Sequence, residues 1–546
     1  MKKTFAAILC AVLLAGVMTA CGNGANENST SGNQGGGTES ELPESLDISV
    51  YMPIFNETPP ETTLVGQKWT EMMEAYLGVQ LNIDWQEVAF ADYTQKISVY
   101  LASGDWADIF SFCGSTKEQL YELGSTGMLL SFDDYAEYTP NLVKYSEQYD
   151  NRKRIESPDG KVYGMPQLSI NEHDMAQEAF GIRMDAYEAN GMDMPRTLDD
   201  IYEDAKQFKE LYPDSYPVSG MGGNLLAQIY NSYNTSDTIY FDGEQYQFGP
   251  LDGKLQQAVE YLSKLYAEGL LDPEYATLTD EMMQEKALND NAFIFPFVYT
   301  LRLTDNINGS SDGTVEWGFI PVPSADGSTI PWFSSTYSIA PIVLDPNYSV
   351  VINAKTEHPE LLAKMVDYQL SDEMVELSNW GVEGTTFTVD DSGEKVFVDE
   401  ILTADNPQAV MAEYGIYGSM SCRPGIAFMP DARAGYFDIY PKAAAWDGEN
   451  TIEANAWELF SIASEKGINE PAPVEPPIVL DEEEAQFRVD NITPIDTFVD
   501  ENIARFIAGE RPMSEWDAFV EEISDYGDYQ AVLDMYNQKL ADYNAQ

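Results

Sequence analysis

Positive charge is scarce in this chain. Its 546 residues carry 29 lysines and arginines against 92 aspartates and glutamates, with 2 histidines, for a formal charge of −63. Such a field repels phosphate instead of releasing counterions to bind it, so nucleic acid is excluded as a partner and anionic lipid headgroups are disfavoured. The acids are spread along the chain, which is the pattern of a solvated surface rather than of an interaction tail. Cysteine is as rare, with 4 in all. Once Cys10 and Cys21 are set aside with the N-terminal segment, Cys113 and Cys422 remain, enough for one optional bridge and not for a disulfide scaffold. With His173 and His358 far apart and without ligand spacing, no zinc site and no cofactor are expected. The acidic turn 390–394 lacks the alternating ligands and closing Glu of a calcium loop. It reads as a hairpin turn between strands at 385–389 and 395–398. Internal repeats and β-sandwich spacing are missing, which argues against an adhesin.

Long apolar runs are also missing, apart from the first twenty residues. Lys2 and Lys3 give a cationic start, 4–17 is apolar, and Met18-Thr19-Ala20-Cys21 closes the segment. Roughly fourteen apolar residues fall short of the ~20 that a spanning helix needs, so 1–20 reads as a secretory signal peptide. Its end resembles a bacterial lipobox, which implies a lipid on Cys21 and an anchor on the extracytoplasmic face of the membrane. Residues 23–44 hold Gly, Asn, Ser, Thr, Gln and Glu with almost nothing apolar, so 21–44 is expected to be a lipidated cysteine followed by a disordered tether. The roughly 500 residues beyond are too many for one core, and two lobes are expected.

What is present in that body is an alternation of periods. Residues 46–51 alternate as a strand, 64–76 have helical spacing up to Gly78, 79–85 alternate again, 93–101 are helical up to Gly104, and 108–112 form a third short strand. Strand, helix, strand, helix is the signature of a sheet with crossover helices. The segment 124–135 reads as a loop, and helical patterns return at 492–508, 513–526 and 529–543, beyond the proline-rich stretch 470–477.

Six short segments in order carry a resemblance. They are Ala102-Ser103-Gly104-Asp105-Trp106-Ala107-Asp108-Ile109, Asp159-Gly160-Lys161-Val162-Tyr163-Gly164-Met165-Pro166, Phe180-Gly181-Ile182-Arg183-Met184-Asp185, Pro195-Arg196-Thr197-Leu198-Asp199-Asp200, the Leu265 to Glu274 stretch, and Trp380-Gly381-Val382-Glu383-Gly384. Together they resemble the extracellular solute-binding proteins that feed ABC importers, especially the carbohydrate-importing branch in its long lipoprotein form. Ala107 stands where that family usually has Pro. The resemblance implies an α/β, two-lobed periplasmic-binding-protein-like (type II) fold with hinge crossings and extra C-terminal helices. It places a first lobe at 45–170 and 318–366, a second at 171–317 and 367–480, and helices on the outside of the body at 481–546. Crossings are expected at 163–172, 317–323 and 364–372.

A sugar cleft needs aromatic faces to stack on pyranose rings and polar groups to bond hydroxyls. Aromatics make up 12% of the chain, and most pack in cores, so position must select among them. Carried over from the family, the expected ligand contacts are Phe55 and Asn56 after the first strand, Phe112, Ser115 and Thr116 after the third, and Phe297 and Tyr299 in the second lobe. Trp332, Ser335 and Tyr337 follow on the returning segment, with Trp380 and Arg423 beyond. The function implied is a monomeric, lipid-anchored binder that captures an oligosaccharide or related sugar and delivers it to permease subunits. A peptide or other organic solute is the alternative ligand. An anchored glycoside hydrolase is the rival class, since abundant carboxylates could supply its acid pair. No Ser-His or Cys-His nucleophile motif supports another hydrolase chemistry.

Overall fold

A computed structural model describes residues 42–54, 60–113, 117–170, 178–299, 307, 310–311, 314–325, 342–391, 393–404, 407–416, 427–428, 442–446, 451–455 and 475–545. The chain divides into the units Met1–Pro43 and Glu44–Gln546, and every strand and helix below belongs to the second. Cys21 and the rest of the expected signal and anchor lie outside the described residues.

In chain order the strands are β1 (Ser45–Ile54), β2 (Gln80–Ala89), β3 (Ile109–Cys113), β4 (Met165–Ile170), β5 (Glu178–Arg183), β6 (Ile239–Phe241), β7 (Tyr246–Phe248), β8 (Ile294–Tyr299), β9 (Trp317–Ile320), β10 (Ile342–Ile352), β11 (Phe387–Val389), β12 (Lys395–Phe397), β13 (Ala427–Phe428), β14 (Lys442–Trp446) and β15 (Thr451–Asn455). Six of them form the first sheet, in the order β13-β4-β10-β3-β1-β2. β1 is parallel to β2 and β3, while the late strand β10 is inserted antiparallel between β3 and β4. The second sheet has three strands, β8-β5-β9, with β5 antiparallel to both neighbours.

Alternation along β1 builds the first body. Leu46, Ile48, Val50 and Met52 point to one face, where they meet Val65, Trp69, Met73 and Leu77 of the helix Leu64–Leu77. Tyr51 points to the other, against Tyr93 and Ile97 of the helix Phe90–Ser103. Both faces are therefore covered, as the parallel pairs require. The first of these helices starts where Thr63 accepts a hydrogen bond from Gly66 N, at 3.0 Å, and stops where Gly78 turns left-handed at φ 74°.

Three boundaries differ from the sequence expectation. The segment 364–372, read as a crossing, lies in the helix Pro359–Tyr368 and the start of Asp372–Trp380. Leu362, Met365, Val366, Met374, Val375 and Leu377 of these helices, with Phe387, Phe397, Ile401, Met411 and Ile416 beyond them, are buried in the first core. Residues 367–416 therefore belong to the first lobe and not the second, because their apolar faces close the side of the sheet opposite Tyr93. β9 pairs with β5, and Ile320 and Val322 are buried in the second core, so the second lobe continues past 317.

The third difference concerns the chain end. The helices Glu482–Ile507, Trp516–Ile523 and Tyr529–Asn544 were expected outside the body, but Ile495, Val499, Phe506, Phe519 and Val532 are buried in the same cluster as Phe180, Ile182 and Phe208. Glu482–Ile507 packs on the helix Lys254–Ala267, and Tyr529–Asn544 packs on β7, so the chain end completes the second core. The expected hairpin at 385–398 is present as β11–β12, closed by Asp390 N to Glu394 O at 2.8 Å.

Candidate functional site

The carboxyl ends of β1, β3 and β4 lie along one edge of the first sheet, and the antiparallel β10 begins there, with Ile342 opposite Ile170. In the second sheet, Glu178 at the start of β5 pairs with Tyr299 at the end of β8. The chain passes from Ile170 to Glu178 in eight steps, which can span at most about 29 Å. One short connection thus ties the carboxyl edge of the first sheet to the edge of the second where β8 ends. In open α/β sheets ligands bind outside the carboxyl ends of strands, where the order of connections reverses.

Of the expected ligand residues, Phe297 and Tyr299 sit on the backbone of β8 at this edge. Phe297 falls at the register shift between Ala179 and Phe180 of the partner strand, an extra residue that locally bends and twists the strand. Phe55 and Asn56 directly follow the end of β1, and Ser115 and Thr116 closely follow that of β3. All four lie outside the described residues, as do Trp332, Ser335, Tyr337, Arg423 and Cys422.

Two expectations are corrected. Phe112 is wholly buried in a cluster with Tyr51, Tyr93, Ile97 and Phe110. Consecutive strand residues alternate faces, but β3 has helices on both, so its last aromatic meets side chains rather than a cleft. Trp380 is buried in the first core, with its ring 4.7 Å from that of Phe397 and 5.7 Å from that of Phe387. It pins the β11–β12 hairpin to its helix.

The same edge holds groups that the sequence reading missed. Val218 bridges to Ile294 in parallel, so Ser219, Gly220 and Met221 run beside β8 in the direction of Tyr299 and lead into the helix Gly222–Ser232. That helix has no side-chain cap at Met221, and a Cβ on Gly223 would meet nothing within 4 Å. Asp272, 1% exposed, accepts from Ser219 Oγ at 2.8 Å and pairs with Lys286 at 2.8 Å. Burial opposes the charge of Lys286, but hydrogen bonds to Asp272 and Glu274 outweigh it and hold the ammonium above its usual pKa. The signal was available in the Gly220-Met221-Gly222-Gly223 run, which reads as punctuation before a helix.

Away from this edge, a shallow groove of about 830 Å³ follows the amino halves of β1 and β2, lined by Asp47, Ser49, Asn82, Asp84 and Asp108. Its polar atoms are largely engaged with each other, Asp108 accepting from Ser49 N and Oγ at 2.9 and 2.8 Å and Asp47 from Asn82 at 2.7 Å. Among the described residues no group of three or more His, Cys, Asp or Glu has metal-holding geometry. No helix among them is long and apolar enough to cross a membrane.

A family model described as bacterial extracellular solute-binding protein matches residues 60–376. Lipoprotein LipO of Bacillus subtilis is 24% identical over 53% of this chain and 55% of its own length. The polygalacturonan/rhamnogalacturonan-binding protein YtcQ of the same organism is 22% identical over 70% of this chain and 73% of its own. The fructooligosaccharide ABC transporter substrate-binding protein FusA of Streptococcus pneumoniae is 23% identical over 64% of each chain. The structure of FusA in complex with kestose matches with a TM-score of 0.67 at 19% identity, covering 91% of this chain and 100% of that one, which shows the two-lobed fold.

Proposed function

From the premise that this chain belongs to the bacterial extracellular solute-binding proteins, we propose that it captures a carbohydrate between its two lobes and passes it to the permease of an ABC importer. The observation that carries this reading is the convergence of strand ends beside one short crossing, in a chain whose relatives include proteins named for polygalacturonan, rhamnogalacturonan and fructooligosaccharide binding. In this reading Phe55, Asn56, Ser115, Thr116, Phe297, Tyr299, Trp332, Ser335, Tyr337 and Arg423 supply ligand contacts. The chain acts by binding and not by hydrolysis. A lipid on Cys21 holds it at the extracytoplasmic face of the membrane, and it works as a monomer.

A thermal-shift panel of fructooligosaccharides, pectic oligosaccharides and peptides tests this. A ligand that binds only the folded state raises its stability by RT ln(1 + [L]/Kd), about 2.7 kcal/mol at one hundred times Kd. A sugar is expected to raise the melting temperature with saturation. Stabilisation by peptides alone would transfer the chain to the peptide class, and release of reducing ends from the sugar would make it a hydrolase.

A further inference from the structure

Arg152-Lys153-Arg154 is the only run of three basic residues in this strongly acidic sequence. It lies in the helix Asn151–Ile155 of the first lobe, which is fixed to the sheet where Asn151 Oδ1 accepts from Leu344 N at 3.0 Å and Ile155 enters the core. Arg152 is used within that lobe, on Asp133 at 2.7 Å and Glu156 at 3.2 Å. The other two turn towards the chain end. Arg154 donates to Glu475 O at 3.3 Å, and Lys153 Nζ lies 4.6 Å from the centre of the Tyr543 ring. Tyr543 in turn donates to Asp150 Oδ2 at 2.7 Å.

Both chain-end groups are held by the second lobe. Glu475 Oε1 accepts from Tyr246 Oη at 2.9 Å, and Asn537, on the helix of Tyr543, bonds the backbone N and O of Tyr246 at 2.8 and 3.1 Å. Val532 of that helix is in the second core. Asp150 is presented by a strained corner, since Tyr149 and Asp150 have φ of 50° and 57°, a left-handed conformation that costs free energy in residues with a Cβ. Its position is not incidental, because Leu344 belongs to the start of β10 and pairs with Leu168 of β4, the strand from which the crossing leaves.

We propose that residue 475 and the last turn of the C-terminal helix form a clasp between the lobes, closed by Asp150, Lys153 and Arg154, which restrains their rotation about the crossings. Rotation that parts the helix Asn151–Ile155 from the C-terminal helix lengthens these contacts, so the clasp favours the lobe angle seen here. Two packed bodies on a hinge have discrete arrangements, and contacts made in only one of them set the ratio between them.

The test uses the full chain without ligand, so it does not depend on what the cleft binds. Spin labels at the exposed Val99 and Leu251, one on each lobe, report the interlobe distance distribution by electron double resonance. Tyr543→Phe, and separately Arg154→Gln, should each increase the population away from the main distance roughly fivefold, the effect of one lost hydrogen bond. Melting should stay close to wild type, and Tyr526→Phe, an exposed tyrosine outside the clasp, should leave the distribution unchanged. If both clasp variants superimpose on wild type, or if Tyr526→Phe broadens the distribution equally, the clasp is refuted.

Discussion

Phe112 illustrates how a ring can stand at the right place in sequence and serve another purpose. It is next to last in a strand that points at the candidate cleft, yet its side chain is packed among Tyr51, Tyr93, Ile97 and Phe110. Phe112→Ala should therefore destabilise the first lobe by about 3–5 kcal/mol, as emptied aromatic sites do. In calorimetry this appears as a lowered unfolding transition, with ligand affinity of the folded protein unchanged. A variant that melts like wild type but binds more weakly would return Phe112 to the cleft. Asp204 offers a different probe. Burial is the main cause that moves its carboxyl from 3.8 to about 7, with Asp200, Asp193 and Glu203 adding repulsion against the favourable hydrogen bond from Tyr187 at 3.0 Å. The folded value lies above the unfolded one, so the folded state holds a proton that the unfolded chain has released, and stability falls as pH rises from about 4 to about 7. Asp204→Asn keeps an acceptor and cannot ionise. It should melt with wild type at pH 4 and above it at pH 8, and parallel melting across that range would contradict the assignment.

At the scale of elements, the helices 482–544 decide how the second lobe is read. Phe506 is buried between the rings of Trp516 and Phe519, at 5.2 and 5.5 Å, with the Arg511 guanidinium 5.3 Å from its centre. Phe506→Ala is expected to cost about 3–5 kcal/mol, seen as earlier second-lobe unfolding in hydrogen exchange, whereas a helix resting on the outside would lose far less. Loss of protection confined to residues 482–523 would favour the outside position. The helices themselves were legible from their period, as were β1 to β3, because amphipathic spacing is written locally. Their destination was not, since an apolar stripe does not name its partner. The same limit explains the 364–372 segment, read as a crossing although Leu362, Met365 and Val366 keep helical spacing.

For the whole molecule, five of the six motifs that revealed the family prove to be scaffold. Asp108 ties β3 to Ser49 of β1, Arg183 holds Asp185 at 2.7 Å while Asp185 accepts from Glu316 N at 3.0 Å, and Thr197 with Asp200 closes a capping box. Gly164 is required because a Cβ there would approach Ser349 Cβ to 2.7 Å, and Gly381 because it stands at φ 83°, where a Cβ would come within 2.5 Å of Thr386 Oγ1. Residues that hold a shared frame betray the frame and stay silent about its cargo. The proposed contacts Phe55, Asn56, Ser115 and Thr116 follow strand ends in the sequence, where no period or cap marks them.

The second core joins Phe180 to Val532, so its two ends are separated by nearly two thirds of the chain. During synthesis the sheet β8-β5-β9 emerges long before the helices Glu482–Ile507 and Tyr529–Asn544 that share its core. Until those last residues arrive, Phe180, Ile182 and Phe208 have no complete partner surface, and distant contacts of this kind form slowly. The second core therefore cannot be completed until the helix that carries Val532 has been made. Any premature stop, even one only twenty residues early, leaves an unfinished lobe for proteases to find.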